Sequence, residues 1–330
     1  MAQCIPGSEY TQRDDRPILP AMSPQPLTSP SASSLPISIR CQDGVVLGGH
    51  LWLAEAKKLE GSVIINPATG VLARYYHRYA QFLARHGFDV LTFDYRGIGQ
   101  SRPPKLRGSG YRWREWGEQD FDAALRWMTA DRRNGPLMVV GHSIGGFLPG
   151  LAENAGKIDR MLTVGAQYAW WGDYMPRRRL GLFVKWHIAM PVMTALYGYF
   201  PGRRLGWLED LPAGVANEWS FRRRRFELSH PRAERNEVLR RMAAVKAPIL
   251  AVAVSDDELG TVPAVHRTLN YYTGAERAAV LLKPEHYGRD AIGHFALFHD
   301  SHSAGFWTDT LSWLREGSNP WPAAVLKPQN

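Results

Sequence analysis

Cysteine is almost absent from this 330-residue chain: Cys4 and Cys41 are the two present. That excludes a disulfide framework and points to a reducing compartment, the cytoplasm. A basic-then-apolar leader is also missing from the N-terminus. Residues 1–35 are instead rich in proline and serine and are expected to form a disordered extension, with Met22 an alternative start. The apolar stretch 180–200 carries Lys185, His187 and Pro191 near its middle. A bilayer-spanning helix tolerates a central charge and a proline poorly. Two short apolar helices split at Pro191 and covering a pocket are expected there, with an interfacial helix that touches lipid as the alternative. Internal repeats are absent. What remains is an ordinary globular composition, 45% hydrophobic and 22% charged, in a length that suits one α/β domain with an insertion.

Alternation around Asp43-Gly44 predicts a hairpin of 37–40 with 45–53. Apolar runs at 61–66, 90–93, 136–140, 161–165, 248–254 and 278–282 predict strands. Helical patterning falls at 75–86, 113–131, 147–155, 264–272 and 306–315. Strands alternating with helices after an initial hairpin define an α/β protein with a mostly parallel central sheet. Residues 172–245 interrupt that rhythm.

Gly141-His142-Ser143-Ile144-Gly145-Gly146 lies between the strand 136–140 and the helix 147–155. G-x-S-x-G between strand and helix is the pattern of a nucleophile elbow. The serine takes a strained backbone at the tip of a tight turn, where side chains at Gly141 and Gly145 would collide. Its hydroxyl then lies at the positive end of a helix. A glycine-rich turn whose serine merely caps a helix has the same letters, so partners are needed. Two follow in order. The run 248–254 ends at Ser255-Asp256-Asp257-Glu258, which places carboxylates at the C-terminal end of a buried strand. Ala291-Ile292-Gly293-His294-Phe295 lies in a loop before the last helix. The order Ser143, Asp257, His294 suits an acyl-transferring serine site on such a sheet.

With these residues the chain resembles the α/β-hydrolase superfamily, over about residues 36–320 outside the insertion. Asp94-Tyr95-Arg96-Gly97-Ile98-Gly99-Gln100-Ser101 looks like the D-x-R-G-x-G-x-S turn of many such hydrolases. Asn66-Pro67-Ala68-Thr69-Gly70 and Gly293-His294-Phe295 resemble a bacterial group of predicted hydrolases. The resemblance implies an α/β-hydrolase core of residues 36–171 and 246–330 with a helical cap at 172–245. It implies a serine hydrolase that cleaves a carboxylic ester through an acyl-enzyme, with Ser143 as nucleophile and His294 as base. The family's G-x-x-D turn has Val254 in the glycine position, so the register rests on the Asp-Asp pair: Asp257 is expected as the triad acid and Asp256 as a turn former. One oxyanion donor is expected from the Ile144 amide. For the other, Asn66-Pro67 replaces the usual His-Gly, and Pro67 has no N–H. Ala68 is the expected donor, with Thr69 next.

His142 is expected to pack against or orient the elbow, Asp94 and Arg96 to stabilise a turn, and Trp170 or Trp171 to line the pocket or pack in the core; Thr69 and His142 are counted with the two tryptophans as pocket residues. His299, Asp300 and His302 could suggest a metal site, but that leaves Ser143 and Asp257 unexplained. Neither metal nor cofactor is expected. The same acyl-enzyme would serve an acyltransferase, thioesterase or amidase. The non-enzymatic alternative is a ligand-binding receptor on the same fold.

Residues 171–245 hold 14 Arg or Lys against 7 Asp or Glu, so +7 of the chain's +9 lies there. Arg177-Arg178-Arg179 and Arg222-Arg223-Arg224-Arg225 are the densest runs. A solvated face of salt bridges accounts for them, as does attraction of an anionic substrate or anionic lipid. Nucleic acid is not expected, because no recognised module surrounds them. The expected partner is a small-molecule ester with an apolar or anionic group; nothing in the sequence indicates an oligomeric state. If the arginines steer an anionic ester, kcat/KM for that ester falls as salt rises, whereas a flat salt response excludes steering.

Overall fold

The computed structural model describes residues 34–130 and 135–327. The expected N-terminal extension lies outside them, apart from residues 34 and 35, which already belong to the first strand. Strands β1 (Ser34–Arg40) and β2 (Val46–Trp52) form the hairpin, with Gly44 at φ +87° in its turn. β3 (Gly61–Asn66), β4 (Phe88–Phe93), β5 (Leu137–His142), β6 (Arg160–Val164), β9 (Ile249–Val254) and β10 (Arg277–Leu282) complete the main sheet. β7 (Tyr199–Phe200) and β8 (Leu211–Pro212) pair separately. The helices are α1 (His77–Arg85), α2 (Asp122–Ala130), α3 (Arg179–Phe183), α4 (Met190–Tyr197), α5 (Gly202–Leu205), α6 (Ala213–Ser220), α7 (Arg235–Ala244), α8 (Val262–Leu269) and α9 (Thr308–Glu316).

The sheet runs β1-β2-β4-β3-β5-β6-β9-β10. Only β1/β2 and β2/β4 are antiparallel; every other pair is parallel. β3, β4, β5 and β9 are buried along their whole length, which explains why they read as unbroken apolar runs. Alternate residues serve opposite faces. Val63, Ile65, Val140, Leu250 and Val252 pack with Tyr79, Leu83, Leu311 and Leu314 of α1 and α9. Ile64, Val139, Ala251 and Ala253 pack with Leu125 of α2, Val265 of α8 and residues of the insertion.

Two helical stretches depart from expectation. In place of a helix over 147–155 stands a short 3₁₀ turn, Leu148–Leu151, which follows another at Ser143–Gly146. Pro149 supplies no amide, and a methyl at Gly150 would displace the Met242 thioether packed against it. The Tyr272 hydroxyl is inserted where an α-helical rung would lie. It accepts from the Gly150 amide at 3.1 Å and donates toward the carbonyls of Gly146 at 3.1 Å and Phe147 at 2.9 Å.

Nor does the chain break at Pro191. Helix runs from Arg179 to Tyr197, with an i→i+5 stretch, Val184–Ala189, just before the proline. The Met190 amide bonds to the Lys185 carbonyl, so the widened turn makes room for a ring that would clash with an ordinary preceding turn. By length and composition this helix could cross a membrane. Here one side of it is packed: Leu182, Trp186, Met190 and Thr194 are buried.

The insertion between β6 and β9 shares the core cluster of Trp113 and Phe147 through Val215, Phe226 and Met242, and its acids add ion pairs to the sheet domain. Asp173 pairs with Arg267, Asp210 with Arg102, and Glu218 and Glu234 both with Arg114. Leu208 rests over Gly70, and the Glu209 amide donates to the Gly70 carbonyl at 3.0 Å.

Replacing Tyr272 by Phe strips the buried Gly146–Gly150 segment of its bridging hydroxyl. We expect a loss of about 1–3 kcal/mol, read as a lower urea midpoint with unchanged secondary structure by circular dichroism. An unaltered midpoint would show that the bridge contributes nothing.

Candidate active site

Ser143 follows the last residue of β5 and has φ +54°, a left-handed conformation rare for a side-chain-bearing residue. Tight packing of backbone enforces it. A methyl at Gly141 would lie 2.5 Å from the Gly145 carbonyl oxygen and Gly146 Cα, across the turn as expected. A methyl at Gly145 would meet a different neighbour, overlapping the carbonyl of Asn66 in the loop after β3. The Asn66 side-chain amide also donates to the Gly145 carbonyl at 3.2 Å. The elbow and that loop are therefore one close-packed unit.

β3, β5, β6 and β9 are neighbours, and their C-terminal ends carry Asn66, His142-Ser143, Gly165 and Asp256-Asp257. Asp257 Oδ2 is 2.7 Å from His294 Nδ1, and Oδ1 accepts from the Leu259 and Gly260 amides at 2.8 Å each. Burial pushes the Asp257 pKa up, but His294 and the two amides outweigh it and hold the carboxyl below its ordinary value. An ionised carboxylate only accepts, so Nδ1 carries a hydrogen, and in the neutral ring the lone pair is then on Nε2.

Asp256 does more than shape its turn: its two oxygens accept from the Ile292 amide at 2.9 Å and the Gly293 amide at 3.0 Å. One aspartate holds the imidazole of His294 and the other holds the backbone leading to it. Gly165, at φ +56°, backs the pair. A methyl there would stand 2.9 Å from Asp257 Oδ2 and 3.1 Å from His294 Cε1. Sequence reading passed over Gly165, whose signal is a glycine at the end of the strand next to the elbow strand.

His142 belongs to a directed chain of hydrogen bonds. Its Nε2 lies 2.8 Å from the His294 carbonyl oxygen, which can only accept, so Nε2 carries a hydrogen. Burial, with the neighbouring His294 ring, drives the His142 pKa down to about 3, so the ring is neutral and Nδ1 accepts. Tyr76, whose phenol burial raises well above its usual pKa, therefore donates to Nδ1 at 2.7 Å. Its oxygen in turn accepts from the Ala68 amide at 3.0 Å. In this structure the hydrogen of the Ala68 amide, the expected oxyanion donor, is therefore engaged by Tyr76. The next amide, that of Thr69, has no partner among the described residues. Ile144 lies in the first turn of the 3₁₀ segment, where amides lack an intrahelical acceptor.

Asp94 and Arg96 are structural. Asp94 accepts from the Ala73 amide at 2.7 Å and the Gln100 amide at 2.9 Å, and Arg96 Nε is 2.6 Å from buried Asp120. Trp170 lies under the guanidinium of Arg267, and Trp171 packs edge-on against Phe183, so the ring contacts of both are at the root of the insertion. His299 and Asp300 are half-exposed and in contact, while His302 is buried apart. Among the described residues no three such side chains are grouped to hold a metal.

An eight-stranded, mostly parallel sheet with a serine elbow, a carboxylate after a neighbouring strand and a histidine near the end of the chain defines an α/β-hydrolase. The chain belongs to the α/β-hydrolase family whose profile is described as serine aminopeptidase, S33, which matches residues 57–221, half of its length. That match contains Ser143 and ends before Asp257 and His294. No curated protein matches by sequence. Solved structures with the same fold include a soluble variant of monoglyceride lipase from Saccharomyces cerevisiae, in complex with a substrate analog (15% identity, 86% of this chain and 95% of that one, TM-score 0.59). Others are the esterase Pf2001 of Pyrococcus furiosus (17% identity, 87% and 93%, TM-score 0.53) and the α/β-hydrolase GrgF from Penicillium sp. sh18 (18% identity, 86% and 98%, TM-score 0.55).

The neutral His142 ring gives stability a pH dependence of definite sign. Unfolded, it binds a proton near its ordinary value of 6.5; folded, it refuses one until about 3. Stability is complete above 6.5 and falls as pH drops toward 3, by up to about 1.4 kcal/mol per unit. His77, also lowered to about 3 by burial, adds in the same direction. Urea midpoints at pH 7 and pH 5 should show the loss, and His142→Gln should show a smaller one. An equal loss in that variant would remove His142 from the account.

Proposed function

We propose that this protein is a serine hydrolase acting on carboxylic esters through an acyl-enzyme on Ser143. The observation that carries the reading is the buried Asp257–His294 pair at 2.7 Å on the same sheet edge as a serine held at φ +54°. His294 Nε2 takes the Ser143 proton as Oγ attacks the ester carbonyl. Negative charge on the carbonyl oxygen is met by the Ile144 amide and, in place of Ala68, the Thr69 amide, each worth roughly 10²–10³ in rate. His294 then protonates the departing alcohol. Water, deprotonated by the same nitrogen, attacks the acyl carbon and releases the acid with Ser143 restored. Asp257 keeps the imidazole in the required tautomer and stabilises it when charged. Asp256, and the chain from Ala68 through Tyr76 and His142, fix the backbone from which His294 projects. The esterase and lipase named among the proteins that share this fold support an ester as substrate.

Charge argues against an aminopeptidase. Such a substrate presents a cationic amino terminus, whereas the insertion beside the site is strongly basic and four of its acids are taken up by arginines of the sheet domain. Capture of the acyl group by an alcohol instead of water would use the same residues and give a transesterified product.

A fluorophosphonate probe should add covalently to the native chain and not to Ser143→Ala, with hydrolysis of a p-nitrophenyl ester panel lost in parallel. Equal labelling of the two would end the serine-hydrolase reading and leave a ligand receptor. Asp257→Asn should lower kcat by about four orders of magnitude. Asp256→Asn, which keeps one acceptor oxygen, should lower it by on the order of tenfold. A reversed ranking would make Asp256 the acid.

A further inference from the structure

The helix from Arg179 to Tyr197 has two unlike sides. Leu182, Trp186, Met190 and Thr194 are buried against the insertion, with Trp186 stacked on Trp219 at 4.7 Å. Leu180, Val184, Ile188, Val192 and Leu196 are between 46% and 77% exposed. These five recur every fourth residue. In an ideal α-helix that step overshoots a full turn by about 40°, so the row would wind around the axis. The i→i+5 turn at Val184–Ala189 takes in an additional residue and winds back part of that drift. The result is an apolar row about 24 Å long. Single exposed apolar residues are ordinary on a protein surface, whereas a continuous row marks a contact.

Charge around the row is predominantly positive. Residues 174–208 contain no Asp or Glu and six Arg or Lys. Arg177, Arg178 and Arg179 stand at one end of the helix, and Arg203 and Arg204 lie just past the other. The only charged residue within the helix after Arg179, Lys185, places its ammonium over the Trp186 and Trp207 rings at 4.6 and 4.5 Å. Arg177 and Arg204 have no acidic partner among the described residues. Arg178 pairs with Glu258 at 3.1 Å and Arg203 lies 3.8 Å from Glu209, while Asp173, Asp210, Glu218 and Glu234 of the insertion are turned to the sheet domain.

We propose that this face docks on an anionic lipid membrane, the helix lying in the interface with its apolar row in the acyl boundary and the terminal arginines on lipid phosphates. The buried side of the helix, anchored by Trp186 and Met190, keeps it parallel to the surface instead of across it. A second copy of the chain is a poor occupant, because face-to-face pairing brings arginine-bearing ends together, and the acids beside them, Glu258 and Glu209, are already paired with Arg178 and Arg203. The inference does not rest on the catalytic reading, since its readout is binding.

The full chain is sedimented with vesicles of phosphatidylcholine alone and of phosphatidylcholine mixed with phosphatidylglycerol. Binding to the mixed vesicles should be about tenfold tighter or more, and should weaken with salt. The double variants Val184→Ser/Ile188→Ser and Arg177→Gln/Arg204→Gln should each reduce it by about tenfold at an unchanged thermal midpoint. Ile188→Trp should strengthen it. Equal binding to both vesicle types, sedimentation with neither, or insensitivity to the apolar substitutions overturns the proposal. So does a dimer in sedimentation equilibrium that the serine substitutions dissociate, which would give the face to a second copy.

Discussion

The contact between two stretches of backbone, the elbow at 141–146 and the loop at 66–70, is the constraint on which the site depends. Gly145 lies so close to the Asn66 carbonyl that no side chain fits, and this closeness lets the Asn66 side chain reach the Gly145 carbonyl. The same loop sends the Ala68 amide to Tyr76, Tyr76 to His142, and His142 to the carbonyl of His294. Elbow, loop and histidine segment are thus fixed to one another by steric contact and by hydrogen bonds whose directions are all determined. Gly165 and Gly260 repeat the device on the acid side, where a methyl on either would press on Asp257 Oδ2.

The parts of this arrangement that could be read from the sequence are those set by residue type at the end of an element. A serine between glycines, a carboxylate after a buried strand and a histidine in a late loop are chemical signals, and of the two aspartates it is Asp257 that pairs with His294. What could not be read depends on how elements face one another. Whether the Ala68 hydrogen is free depends on where Tyr76 falls beside the sheet, which has no local signature. The second role of Asp256 depends on the path of residues 292–293. Local rules also overreached. Apolar residues at 147–155 suggested a helix, yet Pro149 and the hydroxyl of a tyrosine more than a hundred residues away decide otherwise. Proline rules suggested a break at Pro191, yet one widened turn carries the helix through.

Composition gave the insertion its basic character but not its polarity. Location did that: several acids face inward and dock the segment, while many arginines remain at its periphery. Arg222 is the exception, buried with its guanidinium 3.9 Å from the Trp113 ring and its pKa lowered to about 10 by desolvation. One excess of charge is therefore divided among docking, packing and surface, and a count along the chain cannot separate the three.

Tyr272 has a bearing on biogenesis. A nascent chain that has emerged only through β6 already contains Ser143, but it lacks the hydroxyl that completes the segment behind the elbow. It lacks Asp257 and His294 as well. The serine can gain its support and its partners only after the insertion and β9 have left the ribosome, and the histidine follows Tyr272. The order of synthesis thus keeps the elbow isolated from its partner residues until the residues beyond β9 have been made.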